Sequence, residues 1–250
     1  MRGRIAVIAL VAVVMAALAL WAASSLRVPA EAPAPPLLED GSAAIDWDAL
    51  RDVNPDVIGW VDVAGTNVSQ PVVRAGAGDP GFYLTHAIDG SRHYAGTPYL
   101  DSSCTAGLLD SQVSLVYGHH LVDDSMFSQL ALFTDQAFLE RHGEVRVRTP
   151  EHDVSYRVIA ARKVDASAER SVTAFPSTAS LREWLSGELA AADSRLSGDF
   201  ATNRVLELVT CSYGTFANER TAVYAIPVTC DGEAIRYPSD MNRLLGQAGS

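Results

Sequence analysis

The stretch VLELVTCSYGTFANERTAVYAIPV, residues 205–228, leaves the chain little choice of local structure. Its opening run, 205–210, is short, partly alternating and rich in β-branched side chains, the pattern of a buried strand. Cys211 ends that run. Gly214 and Asn218 mark 212–219 as a connecting loop, and Arg220 opens a second apolar run over 221–228 with Tyr224 inside it. A strand, a loop and a strand bring a thiol and a guanidinium within reach of each other across a hairpin. The ordinary use of such a cysteine is as a buried small hydrophobe, so the remainder of the chain must decide between packing and chemistry.

At the other end, Arg2 and Arg4 precede residues 5–23, which carry no charge. As a helix this run is about 28 Å long, the thickness of a bilayer core. The basic residues ahead of it predict a cytoplasmic N-terminus with everything after the span outside. A cleaved signal peptide is the competing reading, because Ala22, Ala23 and Ser24 are small. Such peptides usually have a shorter apolar core, which favours an uncleaved anchor. Both readings export the rest of the chain. The segment VPAEAPAPP, 28–36, is too rich in proline and alanine to form a core and reads as an exposed spacer. The expected division is a basic cytoplasmic tail over 1–4, a transmembrane signal-anchor helix over 5–23, a Pro/Ala-rich spacer over 24–41 and an extracytoplasmic domain over 42–250. That domain is long enough for one sizeable core. The net charge of −11 argues against a nucleic-acid partner.

Within the domain, Ile45, Leu50 and Val53 predict a short amphipathic helix that Asn54-Pro55 ends. Residues 57–63 and 70–74 read as strands around a turn holding Gly65 and Asn67, with Pro71 suggesting that the second begins there. Further strands are expected over 94–100, 114–117, 144–148 and 154–164. Residues 125–142 have a helical pattern, as two short pieces broken at Thr134-Asp135. Leu181, Trp184, Leu185 and Leu189 predict a helix over 180–192 capped by Ser180. Seven or eight short, unevenly spaced strands with inserted helices make the chain mainly β and suggest a small closed barrel.

The chemistry narrows by elimination. Cys104, Cys211 and Cys230 lack zinc-motif spacing, and His86, His93, His119, His120, His142 and His152 form no HExxH, so no metal site is expected. His152, in the 151–153 turn, reads as exposed and idle. Cys104 and Cys230 can form a disulfide that leaves Cys211 alone, or remain two separate thiols. What survives is a Cys/His/Arg set. A thiolate nucleophile needs a neighbour able to protonate a leaving amine, and His119 comes directly after Gly118 at a strand end. An arginine can stabilise oxyanion charge or hold a substrate backbone.

Several segments then resemble a class B sortase, a cysteine transpeptidase. Leu208-Val209-Thr210-Cys211 is similar to the family's catalytic cysteine signature, Val116-Tyr117-Gly118-His119 to its histidine segment, and Arg220 to its arginine. The likeness extends to Asn54-Pro55-Asp56-Val57-Ile58-Gly59-Trp60, Gly65-Thr66-Asn67-Val68, Gln70-Pro71-Val72-Val73 and Asp124-Ser125-Met126-Phe127. The helical N-terminal extension and the 180–192 helix suggest class B. The resemblance implies a closed eight-stranded β-barrel with peripheral helices. It implies Cys211 as nucleophile, His119 as general acid/base and Arg220 as oxyanion or substrate stabiliser, with no cofactor and no metal. Its implied partners are the membrane, exported proteins bearing a C-terminal sorting signal, and an amine on a peptidoglycan precursor; hydrolysis would be a side reaction. Two alternatives stay open: pilus assembly, with a pilin lysine as the amine, and an inactive membrane-tethered binding module. His120 reads as a bystander, Asp123 and Asp124 as solvated loop charges, and Tyr117 and Tyr213 as groove or packing residues.

Overall fold

A computed structural model of the chain describes residues 45–167, 172–211 and 218–246. The expected tail, anchor and spacer lie outside these, and among the described residues no helix is long and apolar enough to cross a membrane. The unit that carries the fold is Asp46–Ser250.

It opens with α1 (Trp47–Val53), where Asp46 accepts a hydrogen bond from Ala49 N as N-cap. The helix buries no residue of its own. Val53, expected on its apolar side, is exposed, while Trp47 and Leu50 pack on Val57, Val73 and Tyr83. The strands are β1 (Val57–Val63), β2 (Ser69–Val73), β3 (Tyr99–Leu100), β4 (Val113–Gly118), β5 (Glu144–Arg148), β6 (Asp153–Asp165), β7 (Ser194–Arg195), β8 (Val205–Cys211), β9 (Glu219–Cys230) and β10 (Glu233–Ala234). Between them lie α2 (Gln136–His142) and α3 (Thr178–Ala190), and α4 (Pro238–Leu244) closes the unit.

The pairing order β9-β8-β4-β3-β2-β1-β5-β6 returns to β9 through a long β6–β9 ladder. Eight strands therefore close a barrel, as expected, with the two-residue strands β7 and β10 appended at its edges. Most neighbours are antiparallel; β2–β3 and β4–β8 are parallel. Leu100, Leu115, Phe127, Phe133, Ile159, Leu181, Leu206 and Leu208 are all fully buried in one apolar core.

Some sequence expectations need correction. The strand expected over 94–100 shrinks to Tyr99–Leu100, because Gly96 turns the backbone to φ +60° and Pro98 has no donor to give a ladder. Pro71 sits inside β2 rather than at its start. It is tolerated on that side because β2 meets β3 only at Val73. The cap of α3 is Ser177, which accepts from Ser180 N at 3.1 Å; Ser180 is already inside the helix. The 125–142 segment does break where expected. Its first half is the 3-10 turn Ser128–Thr134, and Asp135 caps α2 by accepting from Phe138 N at 2.8 Å.

Candidate active site

β8 and β9 are paired so that Cys211 lies opposite Arg220, Val209 opposite Ala222 and Glu207 opposite Tyr224. Alternation along a strand puts Cys211, Val209 and Glu207 on one face of β8. Arg220 and Tyr224 share that face on β9. The other face of β8, with Leu206, Leu208 and Thr210, is buried. The half-buried Cys211 therefore ends a strand whose inward side chains fix it in place. The remainder of the 212–219 loop up to 217, with Tyr213, lies outside the described residues.

β4 runs parallel to β8, with Tyr117 beside Val209 and Gly118 beside Thr210. The ladder ends there, with His119 the next residue after β4 and Cys211 the last residue of β8. Gly118 is required there. A Cβ on it would collide with the buried Phe127 ring, which presses on the backbone just ahead of the histidine. The chain then loops back, and Phe127 N donates to His119 O at 2.9 Å. Asn67, in the β1–β2 turn, donates through Nδ2 to Asp124 O at 2.8 Å. The turn thus holds the loop that leads away from the histidine.

The imidazole has a fixed orientation. Its Nε2 lies 2.7 Å from Leu84 O. A carbonyl only accepts, so Nε2 carries the proton and Nδ1 is left to take or give one. Leu84 ends the 3-10 turn Phe82–Leu84, which is anchored by Tyr83. The Tyr83 hydroxyl accepts from Asn54 Nδ2 and donates to Asp56 Oδ2, each at 2.7 Å. Asn54 and Asp56 belong to the Asn-Pro-Asp stretch singled out in the sequence. They reach the histidine through a backbone carbonyl that no sequence motif could reveal.

Arg220 reaches across β8 toward β4. Its guanidinium carbon stands 5.5 Å from the centre of the Tyr117 ring, a cation–π contact. Tyr117 lines a cavity beside the arginine together with Val209, Glu207, Glu188 and Trp184. Tyr117 therefore belongs to the groove, while Asp123 and Asp124 are exposed loop residues.

The other candidates lie elsewhere. Cys104 and Cys230 are separate buried thiols, so the disulfide alternative does not hold. Cys104 Sγ donates to Val113 O at 3.3 Å and accepts from Leu115 N at 3.4 Å. His120 pairs with Met126 in an isolated bridge. His152 is not idle: its Nδ1 lies 2.8 Å from Asp231 Oδ2, and Asp231 Oδ1 accepts from Asp153 N. With Cys230 these two form a set whose donor atoms lie within 4.8 Å of one another. That set is at the opposite end of β9 from Arg220, about 33 Å along the strand.

A family model described as the sortase domain matches residues 61–228. Sortase B of Listeria monocytogenes is 26% identical over 171 residues, covering 66% of this chain and 67% of that protein. The X-ray structure of Clostridium perfringens sortase B superposes with a TM-score of 0.67 at 26% identity, covering 73% of this chain and 99% of that one. A Staphylococcus aureus sortase B–substrate complex has a TM-score of 0.65 over 73% of this chain and 84% of that one; at 22% identity it speaks for the fold alone. The chain belongs to the sortase family of cysteine transpeptidases. Within that family its likeness is to class B.

Proposed function

We propose that Cys211, His119 and Arg220 are the catalytic residues and that the protein joins an exported protein to an amine. The observation that supports this is the Cys211–Arg220 register pair at the end of β8, next to a β4–β8 ladder that ends one residue short of His119 and Cys211. Cys211 passes its thiol proton to His119 Nδ1 and Sγ attacks the scissile carbonyl of a C-terminal sorting signal, the C–N bond breaking as the S–C bond forms. His119 Nδ1 gives its proton to the departing amine. The amine of a cell-wall precursor then attacks the thioester, His119 takes its proton, and Cys211 leaves as the thiolate, which recovers that proton from His119. Arg220 donates to the carbonyl oxygen as charge grows on it. Acyl transfer conserves the bond energy in the thioester, so these residues need no cofactor.

Residues 5–23 anchor this domain in the cell membrane with the N-terminus inside, and 24–41 hold it away from the lipid surface. The uncharged run behind two arginines supports that reading. The test is intact-protein mass spectrometry of the chain mixed with sorting peptides, with and without a small amine. A thioester on Cys211 that the amine resolves is the expected result. Peptide cleavage that survives Cys211→Ala would overturn the assignment.

A further inference from the structure

The cavity beside Arg220 has a floor that acyl transfer does not use. It encloses about 280 Å³ and includes Asp101, Trp184, Glu188, Glu207 and Tyr224 in its lining. Glu207 lies four residues before Cys211 on the same face of β8, about 13 Å along the strand. It is 5% exposed, and its Oε2 has no hydrogen-bond partner among the described residues. The neighbouring Glu188 is different: its Oε2 accepts from Arg162 Nη1 at 2.6 Å and from the Tyr224 hydroxyl at 2.8 Å. Asp101 accepts from Ser103 N and from its hydroxyl. Arg162 thus answers Glu188, and Arg220 is drawn over Tyr117 at the Cys211 end. The floor keeps a surplus of acid.

A buried carboxyl with one oxygen lacking a hydrogen bond is costly, and the one charge that favours its ionised form, Arg162, is already paired with Glu188. Burial first, then the charges of Glu188 and Asp101, raise the Glu207 carboxyl to about 8. Trp184 and Tyr224 add aromatic walls, whose rings attract a desolvated cation. We propose that this cavity is a recognition pocket for a cationic group, an ammonium or a guanidinium, brought in by the acylating peptide or by the amine acceptor. The proposal rests on the acyl-transfer reading of Cys211. Entry of the cation ionises Glu207, which releases its proton to solvent as the ion pair forms. An extended peptide advances about 3.3 Å per residue. A basic side chain two to four residues from the scissile carbonyl therefore reaches the floor, the shorter separation being bridged by the side chain's own length.

Two measurements decide it. The first is independent of turnover: the Glu207 carboxyl carbon is followed by NMR through a pH titration of the full chain, with and without n-butylammonium. The Glu207 midpoint should fall by about one pH unit or more when the cation is present. An unchanged midpoint overturns the proposal. The second separates the sources of the cation. Lysine is compared with norleucine at each position of a five-residue peptide, read as acylation of Cys211. A diamine is then compared with a monoamine as acceptor for the preformed acyl-enzyme. A preference of about tenfold in one arm, lost in Glu207→Gln, names the source. Acylation that ignores charge in both arms overturns the pocket while leaving Cys211 as the nucleophile. Failure of every peptide to acylate would count against that nucleophile, and the carboxyl titration would still decide the pocket.

Discussion

The three cysteines differ in surroundings: Cys211 and Cys230 end strands, and Cys104 lies in a loop. Cys211 is half-buried on the groove face, whereas burial, then the Asp231 carboxylate, push the Cys230 thiol up to about 12. Cys211→Ala should abolish acylation without unfolding the domain. Cys104→Ser and Cys230→Ser should keep it, as mass spectrometry of the peptide-treated variants will show. Arg220→Lys keeps the charge but loses the planar fork that matches a carbonyl oxygen bidentately. Its single-turnover acylation should fall by about a hundredfold. Glu207 makes a prediction about stability. Its carboxyl is raised in the fold, so the unfolded chain gives up this proton first. Stability is therefore intact below about pH 4.3 and is lost progressively as pH climbs toward about 8, by about 1.4 kcal/mol per pH unit at most. Glu207→Gln should flatten that fall in chemical denaturation measured between pH 5 and 8. A variant that loses stability as steeply as the parent would place the titration elsewhere. At this scale the motifs of the sequence singled out Cys211, His119 and Arg220 as the candidates. Sequence reading passed over Glu207, the one acid inside the run VLELVTC, because strand pairing and not the sequence leaves its Oε2 without a hydrogen bond.

The elements around the histidine act through contact rather than chemistry. Gly118→Ala forces the new methyl against Phe127, an overpacking that should cost about 1–3 kcal/mol. It should also slow acylation by moving His119, so calorimetry and single-turnover rates together check it. Tyr83→Phe removes one hydroxyl that both accepts from Asn54 and donates to Asp56. Its expected stability loss is about 1–3 kcal/mol, with a shift in the His119 ring resonances by NMR, since the Leu84 carbonyl that holds the ring loses its support. A stability loss without that shift would make Tyr83 a packing residue only. Sequence reading was strongest for these elements where one pattern dominated: β1 and β5 match expectation residue for residue. It failed where a backbone exception ruled, as at Gly96 and Pro98. It also passed over α4, whose signals were Pro238 at the first turn and Asp240, which accepts from Arg236 N and Tyr237 N at 2.9 Å each.

For the whole molecule, alternating runs announced a barrel, yet the order of its strands was hidden, because pairing partners are chosen across the sequence and not along it. The unit Asp46–Ser250 holds the core and every described residue of the proposed site. A chain beginning at Asp46 should unfold in one cooperative step and acylate soluble peptides at the rate of the full chain, while only the full chain should sediment with membranes. Dependence of the rate on residues 1–45 would show that the anchor does more than tether. The parallel β4–β8 ladder has a further consequence. β5, β6 and α3 all intervene between those two strands in the chain, and β8 has both neighbours only when the distant β4 has joined the β8–β9 hairpin. Such long-range pairing is slow, because loop entropy must be overcome before any contact rewards it. The thiol is thus present in every partly folded form, while the β4 end that leads to its proposed partner His119 is not yet beside it. During refolding from denaturant, competence to form the thioester should emerge with the last kinetic phase, making Cys211 a chemical clock for barrel closure.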